Sequence, residues 1–319
     1  MGRRAVLVAT TILILGVTSS VSAAAPWTDR GWARLAVKAY QRSDVCRNLP
    51  GVQRTVPPGH VRDASGACLP IPVPTPTPTA PPPNAIPDPQ PGFTRVFTDQ
   101  FDGTAVDTSK WIPYSGTFTS SEGCNEPDNL QVGGGVLTQV FAYQSSGVCG
   151  AGWYHGSTVV DRAYGGNNQS VTVRFRVLND DPATTEAYRI IPMRWPSPID
   201  DGPVPPWYLG EADYCEGSSL DGCTTFLHYQ DVDTQVLRRH TFDLTQWHTL
   251  RATQRPGNDV EIYLDDMAVP LWSYDGTSTT VPDVFRRTVL QQECAGTCPT
   301  TQTGSERIEV DFVTIDDHH

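Results

Sequence analysis

Glu211-Ala212-Asp213-Tyr214-Cys215-Glu216 places three carboxylates within six residues, in a run that otherwise reads as a buried strand. Successive side chains of a strand point to opposite faces, so Glu211 and Asp213 share one face and Glu216 would lie on the other. One extra residue taken up as a β-bulge returns Glu216 to the face of the first two. Three carboxylates crowded together cannot all ionise near neutral pH. An ionised carboxylate and a protonated one roughly 5–5.5 Å apart are what cleavage of a glycosidic bond with retention requires. Solvent-facing acids on an exposed strand are the plainer reading. The flanking residues weigh against it: Pro205-Pro206-Trp207-Tyr208-Leu209-Gly210 comes before, and Gly217-Ser218-Ser219 after. Aromatic rings beside carboxylates suit a sugar, with its apolar C–H faces and hydroxyl edges.

The elements that must hold these acids lie in residues 93–319. Short strand-like runs recur between turn residues, at 130–137, 157–160, 171–177, 188–193, 224–229, 248–253, 260–264, 288–291 and 307–315. Helical periodicity is nearly absent, so an antiparallel sandwich or barrel is expected. Eight cysteines fall in couples close in sequence: Cys46 and Cys68, Cys124 and Cys149, Cys215 and Cys223, Cys294 and Cys298. Nearest-neighbour bridging is the simplest pairing, although sequence alone does not fix it. Cys294 and Cys298 read as a small loop staple, since no second cysteine or histidine pair accompanies them. A Cys215–Cys223 bridge would stiffen the strand end that carries the acids.

Outside this part, residues 1–23 have the pattern of a secretory signal peptide: Arg3 and Arg4, an apolar run, then small residues. The mature chain is expected to be exported, soluble, free of a membrane anchor and monomeric. Residues 24–69 hold one amphipathic stretch (Trp32, Leu35, Ala36, Ala39, Tyr40) and a loop that Cys46–Cys68 would close. This small region reads as a spacer or as a polysaccharide-binding appendage. Residues 70–92 alternate Pro and Thr and form a stiff, extended linker. The formal net charge is −12, and loss of Arg3 and Arg4 with the leader leaves −14. Such a field disfavours nucleic acid and polyanionic polymers as partners.

Several segments, in order, resemble glycoside hydrolase family 16. Phe97-Thr-Asp-Gln-Phe-Asp-Gly103 with Asp107-Thr-Ser-Lys-Trp111 is similar to the family's opening strand and loop. Asn129 to Leu137, Ser157 to Val160, Val173 to Val177, Trp247 to Leu250, Val260 to Asp266 and Glu309 to Val313 follow as its later strands. The resemblance implies a concanavalin A-like β-jelly-roll sandwich and a retaining, endo-acting hydrolase of a neutral β-linked polysaccharide, with β-1,3-glucan the best match to the bulged motif. It makes Glu211 the nucleophile, Glu216 the general acid/base and Asp213 the residue between them that tunes ionisation. It puts Trp195 and Trp207 on the cleft wall and His228 in the cleft, where a satisfied core histidine is the competing reading. No cofactor is implied; a structural calcium near Asp311 is, although Gln100 stands where an acid is often found. Pro206 and Trp207 occur in the reverse of the family's usual order. Two further readings keep the same residues or the same fold: a transglycosylase, and a non-catalytic lectin-like carbohydrate-binding sandwich.

Overall fold

The structure, a computed structural model, describes residues 60–62, 68–70, 85–117, 123–179, 187–198, 205–232, 234–294, 296, 298–299 and 304–319. The chain divides into two compact units, 1–75 and 76–319. In the first, His60–Arg62 and Cys68–Pro70 pair as an antiparallel ribbon. The signal segment, the amphipathic stretch, the Cys46–Cys68 bridge and most of the Pro/Thr linker lie outside the described residues.

The second unit is a sandwich of two sheets. One sheet has seven antiparallel strands: β1 (Trp111–Pro113), β2 (Thr158–Val160), β3 (Ala187–Pro196), β4 (Ala212–Gly217), β5 (Gly222–His228), β6 (Gln235–Thr241) and β7 (Arg286–Cys294), in the order β6-β5-β4-β3-β7-β2-β1. The other has eleven strands built around Gln169–Asn179 and Ser305–His318, which pair along their length. Phe93–Asp99 pairs with Ser305–His318, so the segments resembling an opening and a closing strand are neighbours. Val171, Val173, Phe175 and Val177 from this sheet meet Ile191, Tyr214, Cys215, Leu227 and Leu290 from the other in one core. Burying each large side chain there contributes about 1.5–3 kcal/mol. The expected jelly-roll sandwich is therefore what forms.

One expected strand divides. Residues 130–137 contain a hairpin, Leu130–Gly133 with Val136–Gln144. Gly134 and Gly135 have φ of 64° and 78°, and a two-residue hairpin turn with both central residues at positive φ favours glycine at each. The bridges Cys124–Cys149, Cys215–Cys223 and Cys294–Cys298 form as nearest-neighbour pairing expects. The Asp311 carboxylate pairs with the buried guanidinium of Arg174 at 2.6 Å. Among the described residues no helix is long and apolar enough to cross a membrane.

Candidate active site

Between Asp213 and Glu216 the ladder slips. Asp213 pairs with Phe226 and Glu216 with Thr224, so three steps along β4 match two along β5. This is the one-residue bulge that the acidic spacing demands. Consecutive residues Tyr214 and Cys215 both enter the core, leaving Asp213 and Glu216 on the opposite face. The Cys215–Cys223 bridge therefore ties the core side of the bulge to β5. A hydroxyl holds the backbone there as well. Thr225 Oγ1 donates to the Tyr214 carbonyl at 2.8 Å and accepts from His240 Nε2 at 2.9 Å. Burial lowers the pKa of His240 to about 4, so its ring is neutral and its Nε2 carries the hydrogen. Thr225→Val keeps the side-chain shape but strands that carbonyl. It is expected to cost about 1–2 kcal/mol of stability in thermal denaturation, and to lower kcat more than it changes KM by letting Glu216 drift.

A second bulge lies next to the first. On β3, Ile190 pairs with Gln291 and Met193 with Val289, again three steps against two on β7. Across the β3/β4 seam the two bulges match, with Glu216 opposite Ile190 and Asp213 opposite Met193. The acids' face of β3 therefore carries Tyr188, Ile190, Met193 and Trp195. Ile190 and Met193 form an apolar floor with Val159 and Val289, and Tyr114, Tyr188 and Trp195 pack against it.

The acids are crowded and largely dry. Glu211 is 7% exposed and Asp213 1%, while Glu216 is half-buried. Burial above all, then the negative charges of Asp213 and Glu216, pushes the Glu211 pKa up to about 10, against an opposing pull from His228. Asp213 is likewise held well above the carboxylate range, by burial first and then by Glu216. Among the described residues the one basic group in ion-pair range of Asp213 is His228, whose Nε2 is 3.2 Å from Oδ2. Burial lowers the pKa of His228, which keeps it neutral at pH 7. Glu211, Asp213 and His228 bring one donor atom each within 4.8 Å of one another.

Every site residue expected from sequence reaches this face or its rim. Trp207 opens a 3-10 turn, Trp207–Leu209, and meets the His228 ring edge-on at a centroid distance of 5.1 Å. His228 thus touches both Trp207 and Asp213. Trp195 stands two residues along β3 from Met193, level with Glu211. Glu211 itself precedes β4; its N–H donates to the Trp207 carbonyl at 2.9 Å and its carbonyl accepts from the His228 N–H at 2.9 Å.

Two residues that position the site carry no sequence signal of their own. Arg286 is 1% exposed, and its guanidinium donates to the carbonyls of Gly210, Pro282 and Val284 and to Gln254 Oε1. It fixes the turn immediately before Glu211. Gly210 has φ of 137°, and a Cβ there would come within 2.7 Å of the Val284 side chain. Tyr188 is the second, and its hydroxyl donates a short hydrogen bond to Glu216 Oε1. Regular alternation back from Trp195 would turn Tyr188 away from the acids; only the β3 bulge turns it toward them.

Comparison with known proteins places the fold. The structure is similar to an endo-1,3-β-glucanase from Streptomyces sioyaensis, at a TM-score of 0.59 and 19% identity, covering 73% of this chain and 99% of that one. It is also similar to SCLam, a non-specific endo-β-1,3(4)-glucanase from glycoside hydrolase family 16, at a TM-score of 0.56 and 20% identity over 75% of this chain and 95% of that one. A third similar structure is an immunostimulatory antigen and pseudo β-1,3-glucanase of Mycobacterium tuberculosis, at a TM-score of 0.54 and 19% identity over 70% of this chain and 99% of that one. No protein-family model matches the chain, and no curated protein does. At these identities the likeness establishes the fold alone.

Proposed function

We propose that the chain is a member of glycoside hydrolase family 16: a secreted, endo-acting, retaining hydrolase of a neutral β-linked polysaccharide, with β-1,3-glucan as its substrate. Glu211 attacks the anomeric carbon while Glu216 protonates the departing glycosidic oxygen, so one C–O bond forms as the other breaks. Before it attacks, Glu211 gives up the proton it holds in the empty cleft to the neutral imidazole of His228 beside it. Water, deprotonated by Glu216, then releases the glycosyl group with its configuration retained. Trp195, Trp207 and His228 bind the sugar rings. Three disulfides support an oxidising, extracellular location.

The carrying observation is the burial of Glu211 and Asp213 side by side, with Glu216 bulged onto their face. Buried carboxylates without a full counter-charge destabilise a fold. A sandwich that only bound sugar would gain stability by losing them, whereas retaining hydrolysis needs them. The second reading, a carbohydrate-binding sandwich without turnover, is favoured by the similar fold of a protein described as a pseudo β-1,3-glucanase.

Purified protein incubated with laminarin, lichenan, agarose and xyloglucan separates the readings. Release of reducing ends as short oligosaccharides from laminarin is the expected outcome. Retention on laminarin without new reducing ends would support the binder, and products longer than the substrate would show transglycosylation. Cleavage of lichenan or xyloglucan alone would overturn the substrate assignment.

A further inference from the structure

We propose that Tyr188 is a positioning residue for proton delivery by Glu216, its hydroxyl bound to Oε1. This deepens the hydrolase reading and rests on it. Tyr188 reaches Glu216 only because β3 and β4 each carry an extra residue at the same level, which turns Tyr188, Ile190, Asp213 and Glu216 onto one face. Its ring packs against the Ile190–Met193 floor, and its hydroxyl donates to Glu216 Oε1. With Oε1 occupied as an acceptor, the carboxyl cannot rotate freely between its two oxygens.

The chemistry follows from the direction of that bond. When Glu216 passes its proton to the leaving oxygen it becomes a carboxylate, and a hydrogen bond to a carboxylate is stronger than one to a carboxylic acid. Tyr188 keeps its own proton throughout. It therefore stabilises the product of proton transfer more than the resting acid, which lowers the barrier to that transfer. The other titratable groups around Glu216 are Asp213 and Glu211 beside it, His228 on β5, and Glu293 on β7, the cross-strand partner of Tyr188. Glu293 accepts from Gln291 Nε2 at 2.8 Å. Tyr188 is the hydroxyl donor among these groups.

Tyr188→Phe removes the hydroxyl and keeps the packed ring. On laminarin, where the departing sugar needs a proton, kcat/KM is expected to fall about tenfold, a part of the roughly 100- to 10,000-fold that a positioned acid contributes. On a dinitrophenyl β-laminaribioside, whose leaving group needs no proton, the loss is expected to stay under about twofold. The alkaline limb of the kcat/KM profile is expected to move up by about half a pH unit, because the carboxylate has lost a donor. Equal losses on both substrates, or no change on either, would overturn the proposal. Carbon NMR titration of Glu216 in wild type and Tyr188→Phe gives a readout independent of activity: an upward shift in the variant is expected, and an unmoved titration would also overturn it. If wild type cleaved no glucan while the Glu216 titration still moved, the hydrolase reading would fail and the hydrogen bond would stand.

Discussion

Glu211→Gln is expected to reduce turnover of β-1,3-glucan by at least about a thousandfold while making the protein harder to unfold at neutral pH. The loss follows because an amide cannot form the glycosyl ester. The gain comes from the same burial. In the fold Glu211 titrates near pH 10, whereas in an unfolded chain it titrates near 4.3. Between those limits the folded state holds a proton that the unfolded state has released, so Glu211 lowers stability progressively as pH rises above about 4.3. Glutamine carries no such penalty. At pH 7 the variant is expected to be more stable by about 4 kcal/mol, or roughly 10 °C in Tm for a domain of this size. At pH 4 and below, where both states hold the proton, the gain should vanish. Paired thermal denaturation at pH 4 and pH 7 reads it directly. A variant with wild-type stability at both values would show that Glu211 is not buried with its proton.

The second large effect concerns Arg286. It is buried with four oxygen acceptors and no carboxylate in its hydrogen-bond set. Burial lowers its pKa to about 10, so it stays charged at neutral pH. Arg286→Met fills much of the same space and leaves the carbonyls of Gly210, Pro282 and Val284 without their donor. A loss of about 3–5 kcal/mol is expected, or roughly 10 °C or more in Tm. The surviving folded fraction should also be slow, because the Gly210 turn that aims Glu211 has lost its anchor. Arg287→Met is the control. The Arg287 side chain donates to the Val160 carbonyl from a half-buried position, and the same change there should cost about 1 kcal/mol. Equal losses at the two positions would contradict the role given to Arg286.

The difference between these neighbours shows what the sequence could reveal. Arg286 and Arg287 are adjacent and identical in sequence, and only the close approach of the Gly210 turn makes the first of them structural. The acidic motif was legible because its spacing contradicts strand alternation: Asp213 and Glu216 cannot share a face without an extra residue. The bulge on β3 gave no such warning, since Ile191 and Pro192 carry no chemistry whose direction matters, and Tyr188 went unnoticed with it. The sandwich was readable from alternating runs such as Val171 to Val177. The 130–137 hairpin was missed because the run was read as one strand, although two adjacent residues at positive φ, Gly134 and Gly135, reverse the chain. The sequence could not show Arg174, the cross-strand partner of Phe312, in ion-pair range of Asp311.

Everything proposed for this site depends on Glu211 becoming covalently bonded to the sugar. Incubation with a 2-deoxy-2-fluoro-β-laminaribiosyl fluoride, then peptide mass spectrometry, measures this most directly. The fluorine slows release of the glycosyl group, so one added disaccharide is expected, on the peptide holding Glu211-Ala212-Asp213 and at Glu211 itself. No adduct on an enzyme that turns over laminarin, or an adduct at Glu216 or any other residue, would contradict the assignment of nucleophile and acid.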